Sequence, residues 1–323
     1  MQNKQPYQNL TAVIVFLFSL TFVQAQTQSA YQTKFVKGST GNKLEVLDWG
    51  GRGKPILFLS GLSNSAHIFV DFAPKFTDRF QVYAMTRRGF GASELTTNGY
   101  SIDTLANDVL AVVNALQLDK VILIGHSIAG DEISKFASSY PDRVEKIVYL
   151  DAAHDRMNLM ALYANMPSYP NPTTTDFASL PNFKSFIARV YGVSLPDDEL
   201  KNTRVFGKDG RYEKEVTPGF VPGLIIQGLQ HPNYKGIECP ALAIYATPNS
   251  VAQLFPFYTT LDDENKKRAD TSFASFVSFA KEQEEIFKKA VKNNTIKEIN
   301  GANHNVFISN PVETEKLIRD FLE

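Results

Sequence analysis

LIGHSIAG, residues 123–130, is the stretch that decides how this chain is interpreted. It places Ser127 between glycines at positions 125 and 130, directly after the apolar run VILIG. The stretch is close to the pattern G-x-S-x-G, with Ala129 at the place of the last glycine and Gly130 directly after it. Set between a strand and a helix, that pattern holds a serine on a sharp turn with its hydroxyl accessible. Glycine suits both positions, because a side chain there would collide with the neighbouring strand or helix. We therefore interpret Ser127 as a nucleophile; the alternative is a polar residue in an ordinary turn.

Strand and helix patterns alternate on both sides of this turn. Apolar runs typical of strands are KPILFLSG, FQVYAMT, KVILIG, VEKIVYLD, PALAIYA and TIKEI, and TKFVKG with KLEVLDWG is predicted to form a hairpin. Helices are predicted after the capping residue Ser101 and at 128–139, 273–292 and 311–322, with a short one at 66–75. The alternation predicts an α/β fold, with a mostly parallel central sheet flanked by helices.

Residues 155–238 interrupt this alternation. The segment is rich in Pro, Asn, Thr and aromatic residues, and MPSYPNPTTT within it is a clear loop. A structureless loop of such length is unusual inside a compact domain. We predict a small, mainly helical cap over the end of the sheet, with residues 26–154 and 239–323 as the core. A partly ordered excursion is the alternative.

Residues 1–25 are predicted to form a secretory signal peptide. Lys4 precedes an apolar stretch from Leu10 to Val23, and Val23 and Ala25 have the spacing that a signal peptidase recognises. The stretch is short for a membrane span, which takes about 20 residues. We expect cleavage after Ala25 and export to the periplasm or the medium, without stable membrane insertion afterwards. An uncleaved membrane anchor is the alternative.

Composition and charge exclude several classes of function. The chain has 33 Lys and Arg against 34 Asp and Glu, without a basic stripe, so no nucleic-acid partner is expected. A single cysteine, Cys239, excludes an internal disulfide and a cysteine-based metal site. No metal cluster or phosphate-binding loop is visible, and RRGFGAS lacks the G-x-G-x-x-G spacing. We expect neither a cofactor nor a metal, and the sequence does not predict the oligomeric state.

A nucleophilic serine needs a base within hydrogen-bond reach. Of the five histidines, His304 in INGANHNVFISNP follows the last predicted strand, where a side chain can point back over the sheet. His304 is therefore the predicted base. His126 lies beside Ser127 and is expected to pack or line the site. The other three are expected to be pocket or surface residues: His67, His154 and His231.

Four motifs together resemble those of the α/β-hydrolase superfamily: GHSIAG, LSGLSNS after the third strand, RRGFGAS after the fourth, and GANH near the end. The resemblance runs from Lys34 to the C-terminus, except for the cap. It implies an oxyanion hole made by two backbone N–H groups. These are Ile128, directly after the nucleophile, and Leu62, where this chain has Ser60-Gly61 in place of the usual His-Gly.

The acid of the triad departs from the usual family position. Relatives commonly carry it after the strand that follows the cap, in a pattern like G-E-x-D, where this chain has Ala246, Thr247 and Asn249. Some relatives, haloalkane dehalogenases among them, instead carry it after the strand that follows the nucleophile helix. Asp151 stands there in this chain and is the predicted acid. Asp155 and Asn249 remain alternatives, and the non-catalytic interpretation of Asp151 is a capping residue.

These features predict an exported serine hydrolase that cleaves a small or medium carboxylic ester through an acyl-enzyme on Ser127. Aromatic cap segments favour an apolar acyl or alcohol group. A haloalkane dehalogenase or an epoxide hydrolase needs an aspartate at the position of Ser127, so both are excluded. One alternative is a proline-iminopeptidase-like aminopeptidase, which would use cap acids to hold a free amine: Asp176, Asp197, Asp198 and Glu199. The other is a non-catalytic binding protein on a hydrolase scaffold, suggested by the empty acid position.

Overall fold

The structure is a computed structural model that describes residues 31–157 and 162–323. The signal-peptide prediction for residues 1–25 lies outside the described residues. Within those two ranges, no helix combines the length and the apolar character that crossing a membrane would require.

An eight-stranded sheet forms the centre of the molecule, in the order β1-β2-β4-β3-β5-β6-β9-β10. Its strands are β1 (Gln32–Lys37), β2 (Lys43–Gly51), β3 (Pro55–Leu59), β4 (Gln81–Met85), β5 (Val121–His126), β6 (Val144–Leu150), β9 (Ala241–Thr247) and β10 (Asn294–Asn300). The hairpin β1–β2 and the pair β2–β4 are antiparallel, and every other neighbouring pair is parallel. The predicted α/β fold with a mostly parallel sheet is confirmed.

Helices cover both faces of this sheet. They are α1 (Ile102–Ala115), α2 (Ala129–Ser139), α3 (Leu180–Tyr191), α4 (Asp197–Thr203), α5 (Phe220–Gln227), α6 (Val251–Leu254), α7 (Asp263–Ala290), α8 (Val306–Ser309) and α9 (Pro311–Leu322). Alternate strand residues enter different cores, because successive side chains of a strand point to opposite faces. Phe58, for example, joins a core with α3 and α9, whereas Leu57 joins the core under α1 and α2.

Two helix predictions differ from the structure. Residues 66–75 form two 3₁₀ turns, Ala66–Phe69 and Ala73–Phe76, in place of one helix. The proline at position 74 has no N–H to extend a helical ladder, and it lies in the first turn of the second element. Helix α7 begins ten residues before the predicted start at 273, because Asp262 caps it by accepting from the Asn265 N–H at 2.8 Å. That first part lacks the apolar periodicity on which the prediction depended.

Between β6 and β9 the chain forms α3, α4, α5 and an antiparallel hairpin of β7 (Arg204–Phe206) and β8 (Tyr212–Glu215). The hairpin was not predicted. Helix α4 contacts the core through Glu199, whose buried carboxylate accepts from the Ser65 hydroxyl at 2.6 Å. Helix α5 packs its buried Val221 and Ile225 into a small apolar cluster with Ile128. Both contacts lie on the side of the sheet where the parallel strands end.

Candidate active site

Ser127 lies on the predicted turn between β5 and α2. Its φ angle is +53°, a left-handed conformation that non-glycine residues adopt at a cost. A Cβ on Gly130 would lie 2.0 Å from the Ala152 carbonyl oxygen, and one on Gly125 would lie 3.0 Å from the Ile133 Cδ1. The loop after β6 therefore runs so close to the turn that only glycine fits at position 130.

The turn after β3 lies against the turn that carries Ser127, which we call the elbow. A Cβ on Gly61 would be 3.2 Å from the Ser127 Cβ and 2.8 Å from the His126 Nδ1. Buried Arg87 fixes the turn by donating to the Ser60 carbonyl at 2.7 Å and the Gly61 carbonyl at 3.2 Å. Among the described residues, the N–H groups of Leu62 and Ile128 donate no hydrogen bond. Both predicted oxyanion donors are thus free to bind a ligand.

Asp151 and His304 are in contact at the ends of the parallel strands. The His304 Nδ1 lies 2.6 Å from the Asp151 Oδ2. The second carboxylate oxygen accepts from the Ala246 N–H at 3.1 Å, so the position where the family pattern begins supplies a backbone donor. Burial alone would raise the pKa of Asp151, but the hydrogen bond and charge of His304 outweigh it and lower that pKa.

His304 lies in the loop between β10 and α8, next to the elbow. Its ring centroid is 4.7 Å from that of His126, and the His126 Nε2 donates to the His304 carbonyl at 3.1 Å. The His304 side chain is 47% exposed. Within the described ranges, the Ser127 hydroxyl has no hydrogen bond, to His304 or to any other group. Catalytic hydrogen bonds are often long without substrate and tighten when it binds.

The alternative acids make other contacts. The Asp155 Oδ2 lies 2.6 Å from the Nδ1 of the exposed His231. Asn249 is exposed, and its backbone N–H donates to Gln253. Neither side chain is hydrogen-bonded to His304 in the described part of the chain. Of the three candidate acids, only Asp151 is hydrogen-bonded to the predicted base, His304, among the described residues.

Of two other histidines, His67 is buried and His154 is partly buried. His67 lies away from the elbow between Glu45 and Tyr31. The His154 Nε2 lies 4.0 Å from the Asp151 Oδ1, and its ring contacts those of Tyr245 and Phe279. Burial lowers the pKa of both His126 and His154 to about 3, so these rings are neutral near pH 7.

Arg156 is the residue of this region that the sequence did not reveal. Its buried guanidinium donates to the Ser127 carbonyl and to the Asp131 carboxylate, both at 2.7 Å. Burial raises the pKa of Asp131 to about 6, and Arg156 opposes that shift. The available signal was the pair Asp131-Glu132 in the first turn of α2. Two acids packed beneath a buried turn require cations. Asp131 pairs with Arg156, and Glu132 pairs with Arg87.

The four acids considered for an amine site all have partners. Glu199 is buried and also accepts from the Asn64 side chain at 2.9 Å. The remaining pairs are Asp176 with Arg189, Asp197 with Lys184, and Asp198 with Tyr31. Among the described residues, no three His, Cys, Asp or Glu side chains are grouped as a metal site would require.

Comparisons with known proteins bear on the family and the fold of the chain. A family model described as an alpha/beta hydrolase fold matches residues 54–228. The chain is 31% identical over 101 residues to 2-(acetamidomethylene)succinate hydrolase of Mesorhizobium japonicum, covering 31% of this chain and 36% of that protein. It is 37% identical over 120 residues to a non-heme chloroperoxidase of Streptomyces lividans, covering 36% of this chain and 44% of the relative. Both matches span less than half of the relative's length.

Similarity to solved structures extends further. The crystal structure of E-2-(acetamidomethylene)succinate hydrolase superposes with a TM-score of 0.66 at 19% identity, covering 90% of this chain and 99% of that one. At this identity the superposition supports the fold alone. The family model, by contrast, covers more than half of the sequence, from the strand before the Leu62 turn through Ser127 and Asp151. The chain therefore belongs to the alpha/beta hydrolase family.

Proposed function

We propose that this protein is a serine hydrolase that cleaves a small or medium carboxylic ester. Ser127 is the nucleophile, His304 the general base and Asp151 the acid that orients and stabilises the imidazolium. The observation that carries this proposal is the 2.6 Å contact between the His304 Nδ1 and the Asp151 Oδ2, beside a serine held at a positive φ.

The reaction proceeds in two halves. The Ser127 Oγ attacks the carbonyl carbon while the His304 Nε2 accepts its proton, and the Leu62 and Ile128 N–H groups bind the oxyanion of the tetrahedral intermediate. The intermediate collapses, and the alcohol leaves with the proton from His304. Water then attacks the acyl-enzyme with His304 again as base, which releases the carboxylic acid and restores Ser127. Asp151 keeps its charge throughout.

An apolar acyl or alcohol group fits the surroundings. Leu62 and Leu224 pack on the same apolar cluster as Ile128, beside both proposed oxyanion donors. Helix α5 is apolar except for its last residue, Gln227, yet Phe220 is exposed and Leu224 is partly exposed. A surface of this kind favours an apolar ligand. We propose that residues 155–238 act as a cap and choose the substrate.

The aminopeptidase alternative is less well supported. A free amine needs an unpaired carboxylate near Ser127, whereas the four acids considered for that role already bond to other residues. We also propose that residues 1–25 act as a signal peptide and that the protein is exported.

Labelling and hydrolysis test the nucleophile. We expect the chain from Gln26 to hydrolyse p-nitrophenyl acetate or butyrate and to react with a fluorophosphonate probe. Ser127→Ala should abolish both. Ser138→Ala, on the helix that follows Ser127, is the control and should leave both unchanged, since within the described residues the Ser138 hydroxyl hydrogen-bonds only to the Lys135 carbonyl. A folded wild type that neither turns over ester nor takes the probe would favour the non-catalytic binding protein.

A further inference from the structure

Two buried arginines contact the peptide groups of the proposed oxyanion hole. Arg156 donates to the Ser127 carbonyl at 2.7 Å, and the N–H of that same peptide unit belongs to Ile128. Arg87 donates to the Gly61 carbonyl at 3.2 Å, and the N–H of that unit belongs to Leu62. Each predicted donor therefore has a guanidinium on the opposite end of its own amide.

A cation on the carbonyl changes the amide N–H. Because the peptide bond is conjugated, drawing electron density toward the oxygen leaves the nitrogen more positive and its N–H a stronger donor. Hydrogen bonds from charged donors are roughly twice as strong as neutral ones. The Ser127 carbonyl also accepts from the Gly130 N–H at 2.9 Å, which adds to the polarisation of the Ser127–Ile128 unit.

Burial makes these charges effective. Arg87 is 3% exposed and Arg156 is 5% exposed, so water screens neither guanidinium well. Their counterions are consecutive residues of α2: Glu132 at 2.6 Å from Arg87 and Asp131 at 2.7 Å from Arg156. Within the described residues, the second oxygen of Asp131 has no hydrogen-bond partner, so its pair with Arg156 is single.

We propose that Arg87 and Arg156 are positioning residues that polarise the Gly61–Leu62 and Ser127–Ile128 peptides and so strengthen the oxyanion hole. The inference rests on the proposed function. Neither arginine touches the substrate. A neutral donor would satisfy the same carbonyls. Burying two ion pairs costs desolvation free energy, and a charge that polarises the peptides gives a reason for the two arginines. Arg156 also bonds the Ala152 carbonyl, directly after Asp151, and so joins the elbow to the acid loop.

Paired substitutions separate charge from packing. Arg156→Gln keeps an N–H donor without the cation, whereas Arg156→Lys keeps the cation. With p-nitrophenyl butyrate we expect Arg156→Gln to lower kcat about 10-fold, as a weakened oxyanion donor predicts, with KM within about twofold. Arg156→Lys should recover most of that loss. Arg87→Gln and Arg87→Lys should behave in the same way, independently.

The second readout is the inhibition constant of a trifluoromethyl ketone, whose adduct on Ser127 carries an oxyanion. This constant should rise in proportion to the loss of kcat/KM in the Gln variants. Equal activity of the Gln and Lys variants, or a kcat loss without weaker inhibition, would overturn the inference and leave the proposed function intact. A wild type without turnover or fluorophosphonate labelling would overturn both.

If a Gln variant fails to fold, a double variant replaces it in the experiment. Arg156→Gln with Asp131→Asn, and Arg87→Gln with Glu132→Gln, remove the buried carboxylate together with its cation. If these also fail, the infrared stretch of the wild-type acyl carbonyl decides. A frequency below that of the same ester in water supports a strengthened hole, and a frequency at or above it rejects one.

Discussion

Two residues of the candidate site hold strained backbone conformations. Ser127 and Asp151 have φ angles of +53° and +47°, each at a cost of about 1–3 kcal/mol for a residue with a Cβ. Such strain persists only where the surrounding structure enforces it, and it concentrates at functional sites. Two hydrogen bonds hold the conformation of Asp151. Its N–H donates to the Ile244 carbonyl at 2.7 Å, and its side chain accepts from the Ala246 N–H.

The role of Asp151 can be tested against the other candidate acids. We expect Asp151→Asn to lower kcat/KM for p-nitrophenyl butyrate at least about 100-fold, since an amide cannot stabilise the imidazolium of His304. Asp155→Asn and Asn249→Ala are matched controls and should change the rate less than about threefold. An active Asp151→Asn enzyme would mean that another group orients His304.

His154 makes the stability of the protein depend on pH. Burial lowers its pKa to about 3, against an ordinary value near 6.5. Between those values the unfolded chain binds a proton that the folded chain does not, so the free energy of unfolding falls as the pH drops below 6.5. The contribution is about 1.4 kcal/mol per pH unit.

His154→Phe removes this titration and suits the aromatic neighbours of the ring. Between pH 7 and 4.5 its stability relative to wild type should improve by about 2–3 kcal/mol, measured by urea unfolding. His126, with the same shift, and Asp131, whose raised pKa acts in the opposite sense, are common to both proteins and cancel in the difference. A difference that does not change with pH would mean that His154 titrates normally.

At the scale of elements, the close approach of α2 to the loop after β6 is the critical contact. Gly130→Ala would place a Cβ 2.0 Å from the Ala152 carbonyl oxygen, which is backbone and cannot move without displacing Asp151. We expect a loss of about 1–3 kcal/mol in unfolding free energy, together with most of the activity.

Gly223→Ala is the matched control for that substitution. A Cβ there meets nothing within 4 Å, and the position is inside α5. The change should stabilise the protein by about 0.5–1 kcal/mol. Urea unfolding of the two variants measures both effects. Equal stability of Gly130→Ala and wild type would show that the loop after β6 moves aside at little cost in free energy.

Local patterns were sufficient for most of the fold, and they also pointed to Ser127, Asp151 and His304 as candidate site residues. Ser127 is marked by its glycines, and Asp151 and His304 follow strands, so each is recognisable from a few neighbours. The first part of α7 and the hairpin β7–β8 have no apolar periodicity and could not be recognised in this way. Arg87 and Arg156 donate to the Gly61 and Ser127 carbonyls, which lie 26 and 29 residues away along the chain, and no local pattern encodes such contacts.

At the scale of the whole molecule, we propose that the N-terminal residues direct export of the protein. We expect the exported protein to begin at Gln26, because Val23 and Ala25 form the cleavage pattern. Mass spectrometry of protein recovered outside the cytoplasm would identify this terminus. Replacing Ala25 by a bulky residue should retain the uncleaved form. Recovery of the full chain in the membrane fraction would instead favour the uncleaved anchor.

The position of the acid also has a kinetic consequence. Ser127 and Asp151 stand on neighbouring strands, whereas His304 lies 153 residues beyond Asp151 on the loop after β10, an edge strand that pairs only with β9. Contacts of such long sequence separation form late, because closing a long loop costs chain entropy before any bond compensates for it. We therefore expect a growing or refolding chain to assemble the proposed nucleophile and acid first and to gain the proposed base last. Activity would then report the docking of the final strand, and recovery of turnover should lag behind recovery of helix signal during refolding.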